Sequence, residues 1–423
     1  MAGCEAANYI AKKGIKVRLW EMRPGQASPV HQSADLAELV CSNSLKSMLT
    51  DTAQGLLKAE LRIIGSLLLD CADKTKVPAG SALAVDRKLF SSLVTEQIIA
   101  QTGIELIRRE ITDIPEEEIS IIATGPLTSP AMAQNIARRV RQDNLFFYDA
   151  LSPSVTTDSL DQQHIYKASR YDKGGDDYIN CPLTQEEYNR FYNELVRADE
   201  AEGHLVDKDL FFDGCMPIEV IARQGRDTLR YGPMRPVGLA CPESGRRPYA
   251  VLQLRQEDIA GNIFGLVGFQ TRLRWPEQNR VFRLIPALAG AEFVRYGVMH
   301  RNTYINSPKL LRLSLQLKDD PSLFWAGQIT GVEGYMESAA SGIIAGINAV
   351  RLVQGKGAVV PDQCTMIGAL LHHITMPQSK FKPVNANFGL LPPFDPPIKN
   401  KKERYRQYAD RAVQKMLHFN CTL

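Results

Sequence analysis

A chain of 423 residues in which 44% are hydrophobic and 23% charged has the composition of a folded globular protein, with material for roughly two or three domains. No run of about 18 apolar residues occurs, and the N-terminal MAGCEAANYIAKKG lacks the basic-then-apolar order of a secretory signal, so neither a spanning helix nor export is expected. Eight cysteines without one C-x-x-C pair argue against a zinc site or a disulfide framework, and for a reducing cytoplasm.

In chain order, Gly3 opens a predicted helix of small residues over Cys4–Lys13, with Ala6, Ala7 and Ile10 at helical spacing and Gly14 as its stop. A strand from Lys16 to Trp20 follows and runs into Glu21. Glycine, helix, strand and terminal acid, in that order, match the second half of a dinucleotide-binding βαβ unit and place Glu21 at a ribose. Gly3 serves only as the third glycine of G-x-G-x-x-G. The preceding strand and first two glycines are not among these residues, so the chain reads as N-terminally truncated.

The strand Ile119–Ile122 ending in Ala123, Thr124 and Gly125 suits a segment passing beneath a bound flavin nucleotide. A third element runs from Leu323 through a turn containing Gly327, Gln328, Gly331, Glu333 and Gly334 into a helix reaching Val350. Backbone N–H groups at that helix start would face a phosphate or a flavin pyrimidine. These three elements belong to one nucleotide domain, so the span between them is an insertion. The expected fold class is α/β: a Rossmann-like FAD-binding domain, lacking its first strand, with an inserted α+β domain. Its parts are residues 1–172, the insertion 173–305, residues 306–365, and a C-terminal segment 366–423 packed on the FAD-binding domain.

Within the insertion, an acidic helical stretch is expected from Thr184 to Gly203, and strands at Tyr249–Leu254 and Ile263–Val267. After the proline-rich Leu391–Pro397, a terminal amphipathic helix carries Tyr405, Tyr408, Ala409, Ala412, Val413 and Met416 on one stripe, which reads as core packing.

Charge is unevenly spread. Between Cys215 and Arg301 there are 13 arginines, no lysine and 7 acidic residues, in a chain whose total is +3. Guanidinium groups bind oxyanions bidentately and stack on rings, which suits RNA; a solvated face with internal ion pairs fits the same count. Cys41 and Cys215 lie among turn-forming residues, where a thiol is accessible as a nucleophile. Cys71, Cys181, Cys241, Cys364 and Cys421 read as inert. Tyr296, His300, Arg301 and Asn302 gather a ring, an imidazole, a cation and an amide that would stack on a pterin or hold a uracil edge.

Longer motifs then stop being generic. Glu38–Leu45 (ELVCSNSL), Phe212–Glu219 (FDGCMPIE), Gly232–Leu239 (GPMRPVGL), Arg280–Pro286 (RVFRLIP), Tyr296–Pro308 (YGVMHRNTYINSP) and Ala326–Tyr335 (AGQITGVEGY) occur in this order. Across essentially the whole chain they resemble the bacterial methylenetetrahydrofolate–tRNA-(uracil-5-)-methyltransferases. The resemblance implies C5-methylation of the uridine at position 54 of the tRNA T loop by a cytoplasmic enzyme. Methylenetetrahydrofolate would be the carbon donor, FAD the carrier and reductant, and NAD(P)H the electron source. It also implies that Cys215 attacks uracil carbon-6, with Cys41 beside the flavin as assisting thiol, and that the insertion faces tRNA. The expected cofactor residues are Gly3, Glu21, Ala123, Thr124, Gly125, Gly327, Gln328, Gly331, Glu333 and Gly334. His300, Arg301, Asn302, Tyr335 and Arg283 are the expected substrate residues; no metal, DNA or membrane is expected. Related flavin enzymes acting on ribosomal RNA or on wobble uridine, a flavin oxidoreductase with no RNA substrate, and an RNA-binding chain with impaired flavin binding are the other readings.

Overall fold

Small residues decide how the chain begins. The computed structural model describes all residues except 27, 29, 117, 143–144, 173–174, 202–214 and 243–244. In it the first helix, Ala2–Lys12, lies directly against the long helix Tyr335–Val353. A Cβ on Gly342 would sit 2.3 Å from the Ala2 carbonyl oxygen, and one on Gly346 would sit 3.1 Å from the Ala6 Cα. At 342 only glycine allows that approach, which seats the N-terminus of the first helix against the long helix about two turns past its start.

Beneath the helices lie two parallel strand pairs, Val17–Glu21 with Ile104–Arg108 and Leu323–Trp325 with Ser120–Ile122. Parallel strands covered by helices are an α/β arrangement, and Phe324, Trp325, Ile343 and Ile344 are fully buried between them. The expected first helix is found with its start two residues earlier, at Ala2, and its end one earlier, at Lys12, and the strand is found within one residue, with Glu21 as its last residue.

A second hydrophobic core forms on an antiparallel sheet of six strands. Their spatial order is Phe293–Arg295, Ser154–Thr156, Ile263–Leu266, Ala250–Gln256, Tyr178–Leu183 and Tyr166–Lys167. Helices Gln185–Arg197 and Trp275–Phe282 cover it with Tyr188, Phe191, Leu195, Val281 and Phe282. Residues 154–172, placed by sequence with the first part of the nucleotide domain, contribute two strands and Leu160 to this second core, because their hydrogen-bond partners lie within it. The acidic helix ends at Arg197 rather than running to Gly203; a Thr184–Glu187 capping box starts it, and 202–203 lie outside the described residues.

At the C-terminus, Lys401–Asn420 buries Tyr408, Ala409, Ala412, Met416 and Phe419, while Tyr405 and Val413 are half-buried at the edge of the same core. The terminal stripe is therefore core packing, as its spacing predicts. Among the described residues no helix is long and apolar enough to cross a membrane.

Candidate active site

The chain leaves the nucleotide part along Leu145–Ala150 and returns along Met299–Tyr304, and these strands pair antiparallel with Asp149 opposite His300. Side chains alternate along a strand. His300 and Asn302 are therefore buried on the inner face, while Arg301 is exposed and lies over the Phe146 ring at 3.9 Å. One Oδ of Asp149, the Cys41 Sγ and the Cys215 Sγ all lie within 4.8 Å of one another. The His300 Nε2 stands 3.8 Å from Asp149 Oδ2.

Cys41 is held by contacts to both cores. Its backbone N–H donates to the Tyr335 hydroxyl at 2.9 Å, and its carbonyl accepts from Arg87 at 2.9 Å. Arg87 pairs with Glu257 at 3.0 Å, and Glu257 also takes Arg295 at 3.2 Å and the Ser154 hydroxyl at 2.9 Å. Two residues on, the Asn43 amide donates to the Gln256 carbonyl and accepts from Arg255. The thiol loop is thus stapled to the central strand of the second core.

These contacts set the electrostatics. Its hydrogen bond with Cys41, followed by burial, holds the Cys215 thiol well above its ordinary value. Burial pushes Asp149 up and His300 down, and burial with Asp149 nearby raises Glu333 well above the carboxylate range. Burial would raise Glu257 too, but Arg87 and Arg295 bring it down to about 2.

A cavity of about 530 Å³ opens beside the thiols. Of the residues expected from sequence, it is lined by Gly3, Glu21, Ala123, Thr124, Gly125, Gly327, Gln328, Glu333, Gly334, Cys41, Cys215, His300, Asn302 and Tyr335. Three expected residues stand elsewhere. Gly331 is packed under Phe381, where a Cβ would meet the ring at 2.4 Å. Arg301 points away because it has the opposite strand parity. Arg283 is exposed at the end of its helix and donates to the Ala291 carbonyl. Tyr296 stacks instead between Trp275 and Phe293.

Other lining residues carried no sequence signal. Asp149 is one. Arg23 is buried and ion-paired to both Glu21 and Glu38 at 3.0 Å. Lys58, pushed by burial down to about 7, donates to the Ser47 and Gln54 carbonyls.

The donors present fit a flavin nucleotide and a second planar ring. Both converging helix N-termini line the cavity without a side-chain cap, leaving backbone N–H groups for phosphate or a pyrimidine edge. The Asn302 side chain is fully buried; its amide group acts on the Asp149 carboxylate, while its oxygen and the His300 Nδ1 have no hydrogen-bond partner. Buried polar groups of this kind at a cavity wall are free to bond what enters it.

Residues 1–357 match the family model of glucose inhibited division protein A. The methylenetetrahydrofolate–tRNA-(uracil-5-)-methyltransferase TrmFO of Syntrophomonas wolfei is 64% identical over 424 residues, covering 100% of this chain and 97% of that protein. The chain belongs to the TrmFO family. The TrmFO proteins of Pelotomaculum thermopropionicum and Geobacter sulfurreducens are 55% and 54% identical, with 97% and 98% of each covered. Aquifex aeolicus GidA superposes with a TM-score of 0.72 at 16% identity, over 100% of this chain and 72% of that one, which shows a shared fold beyond the TrmFO family.

Proposed function

We propose that this chain forms 5-methyluridine in tRNA, at the T-loop uridine (position 54), with methylenetetrahydrofolate as carbon donor, FAD, and NAD(P)H as electron source. The observation that carries the reading is the meeting of Cys41, Cys215 and Asp149 at the edge of a cavity faced by two uncapped helix N-termini. Gly3, the Ala123–Gly125 turn and the Gly327–Gly334 turn would hold the flavin nucleotide, with Glu21, fixed by Arg23, at its ribose.

Uracil carbon-5 is a poor nucleophile until a thiolate adds at carbon-6. Cys215 forms that S–C6 bond, and its thiol proton passes to Asp149, the carboxylate against its sulfur. The electron pair of the C5–C6 double bond moves toward oxygen-4, making carbon-5 an enolate carbon. The buried Asn302 oxygen would offer an acceptor to the uracil edge, with its amide group beside Asp149. Bound FAD and folate supply the one-carbon unit and the reducing hydride. Cys41, hydrogen-bonded to Cys215, would accept the carbon-5 proton as its thiolate; the Cys215 sulfur then leaves carbon-6 as a thiolate and recovers its proton from Asp149.

The insertion, read as residues 173–305, is the proposed RNA-holding part. Arg223, Arg230, Arg272, Arg280 and Arg295 are ion-paired within the protein, so the RNA surface rests on other cations, such as the exposed Arg235 and Arg247. Binding weakens with salt as phosphate counterions are released.

The test is 5-methyluridine formation, read by mass spectrometry of nucleosides, on tRNA with and without the T-loop uridine. Product only from the intact T loop supports the reading. Equal product on both tRNAs overturns it, as does full activity of Cys215→Ala with flavin still bound.

A further inference from the structure

Without a C-x-x-C motif the sequence offers no metal site, yet the fold assembles two thiols and a carboxylate at one place. We propose that Cys41, Asp149 and Cys215 form a binding site for a thiophilic divalent cation, zinc by chemical class, and that its occupancy switches the thiol centre off. The second half of the proposal rests on the uridine-methylating reading above; the first stands on geometry alone.

One ligand atom from each residue lies within 4.8 Å of the other two. Zinc bound at about 2.3 Å by sulfur and about 2.0 Å by oxygen needs tetrahedron edges of roughly 3.3–3.8 Å. Side-chain rotations that bring the ligand atoms about 1 Å closer would close the triangle around an ion. Two thiolates and a carboxylate select zinc over magnesium or calcium, which favour all-oxygen shells.

The surroundings hold the ligands in place, as hydrogen-bond partners of the ligands do in metal sites. The Ala150 N–H donates to Asp149 Oδ1 at 2.8 Å, and the Cys41 N–H is fixed to Tyr335. Nearby cations are engaged elsewhere: Arg255 with Asn43 and Ser42, Lys46 with Glu337. The three ligands also line the cavity, which gives an ion its entry path. A fourth position is left for water or for His300, whose Nε2 already stands 3.8 Å from Asp149.

Binding is an exchange without redox change. Each thiol loses its proton to solvent and gains a sulfur–zinc bond. The Cys215 lone pair is then in that bond and is withheld from uracil carbon-6, so zinc and target uridine exclude one another.

The experiment uses the flavin-loaded chain in a phosphine reductant, dialysed against zinc and analysed for metal. One zinc per chain is expected, as are tetrahedral cobalt bands at wavelengths beyond the flavin absorption when cobalt is the probe. Cys41→Ser, Cys215→Ser and Asp149→Asn should each weaken binding by at least about tenfold, while Cys364→Ser and Cys421→Ser leave it unchanged. Zinc should also protect both site thiols from alkylation. Binding unaltered in all three site variants, or an octahedral cobalt spectrum, overturns the site. Methylation should fall in step with zinc occupancy and return with a chelator. Full turnover at one bound zinc overturns the switch, whereas a zinc-free enzyme that makes no 5-methyluridine counts against the proposed function and leaves the metal site standing.

Discussion

Asp149 and His300 face each other across an antiparallel strand pair, with Oδ2 and Nε2 3.8 Å apart and both side chains more than nine-tenths buried. Burial raises Asp149 and lowers His300, so the carboxylate against the Cys215 sulfur is a stronger proton acceptor than a carboxylate in water. A carboxyl so placed can take up a thiol proton and give it back without leaving a stranded charge in the cavity.

Asp149→Asn should lower the rate of uridine methylation by about 100-fold or more, the usual cost of losing an acid–base group. Flavin content should remain that of the parent, and Asp149→Glu should recover part of the rate. Turnover within twofold of the parent enzyme in Asp149→Asn would remove the carboxylate from the proton path.

Glu257→Gln leaves Arg87 and Arg295 buried without their counter-ion, which should destabilise the fold by about 3–5 kcal/mol. The native carboxylate is depressed to about 2, so its stabilising effect is full above its ordinary value near 4.5 and is lost as pH falls from there toward 2. Urea unfolding at neutral pH and at pH 3 measures both effects: the variant should start lower and lose less on acidification.

The buried Glu60 gives the opposite sign. It accepts from the N–H groups of Met366 and Ile367 at the start of helix Met366–Thr375, and burial raises it to about 8. Its contribution is full below about pH 4.5 and is lost as pH rises toward 8, because the unfolded chain releases that proton first. Melting temperature followed from pH 5 to pH 9 should decline less steeply in Glu60→Gln than in the parent; parallel curves would show that Glu60 does not titrate in this range.

Gly342→Val should cost about 1–3 kcal/mol by overpacking, since its Cβ meets the Ala2 backbone. It should also weaken flavin retention, because the first helix must move away from the cavity it lines. Gly357→Ala, where nothing lies within 4 Å of a new Cβ, is the matched control and should be silent. Thermal unfolding and flavin absorbance after gel filtration read the two effects.

Much of the nucleotide part is legible in sequence because its signals are local. Gly334, with φ of +118° at the head of the long helix, adopts a conformation that side chains resist, and the clustered glycines announce it. Gly331, with φ of +87°, shares that local reason, but Phe381 from a distant segment packs over it and keeps it out of the cavity. Arg301 was grouped with His300 and Asn302 by adjacency, yet strand parity sends it to the opposite face. The arginine-rich stretch shows the same limit: charge can be counted along the chain, but the carboxylates that neutralise it are set by the fold.

The sequence alone determined the order of helix, strand and glycine turn, the acid at the end of the first strand, the family, and the two thiols worth watching. Each of these is encoded by neighbours within a few residues, through helical period, strand alternation and turn chemistry. Tertiary structure alone decided that Cys41 and Cys215 meet, that Asp149 is the third member of their group, that Arg23 holds Glu21, and that the second core begins near residue 154. Those facts depend on strand register and helix contact between segments far apart in the chain, where a shift of one residue would turn Asp149, His300 and Asn302 away from the cavity.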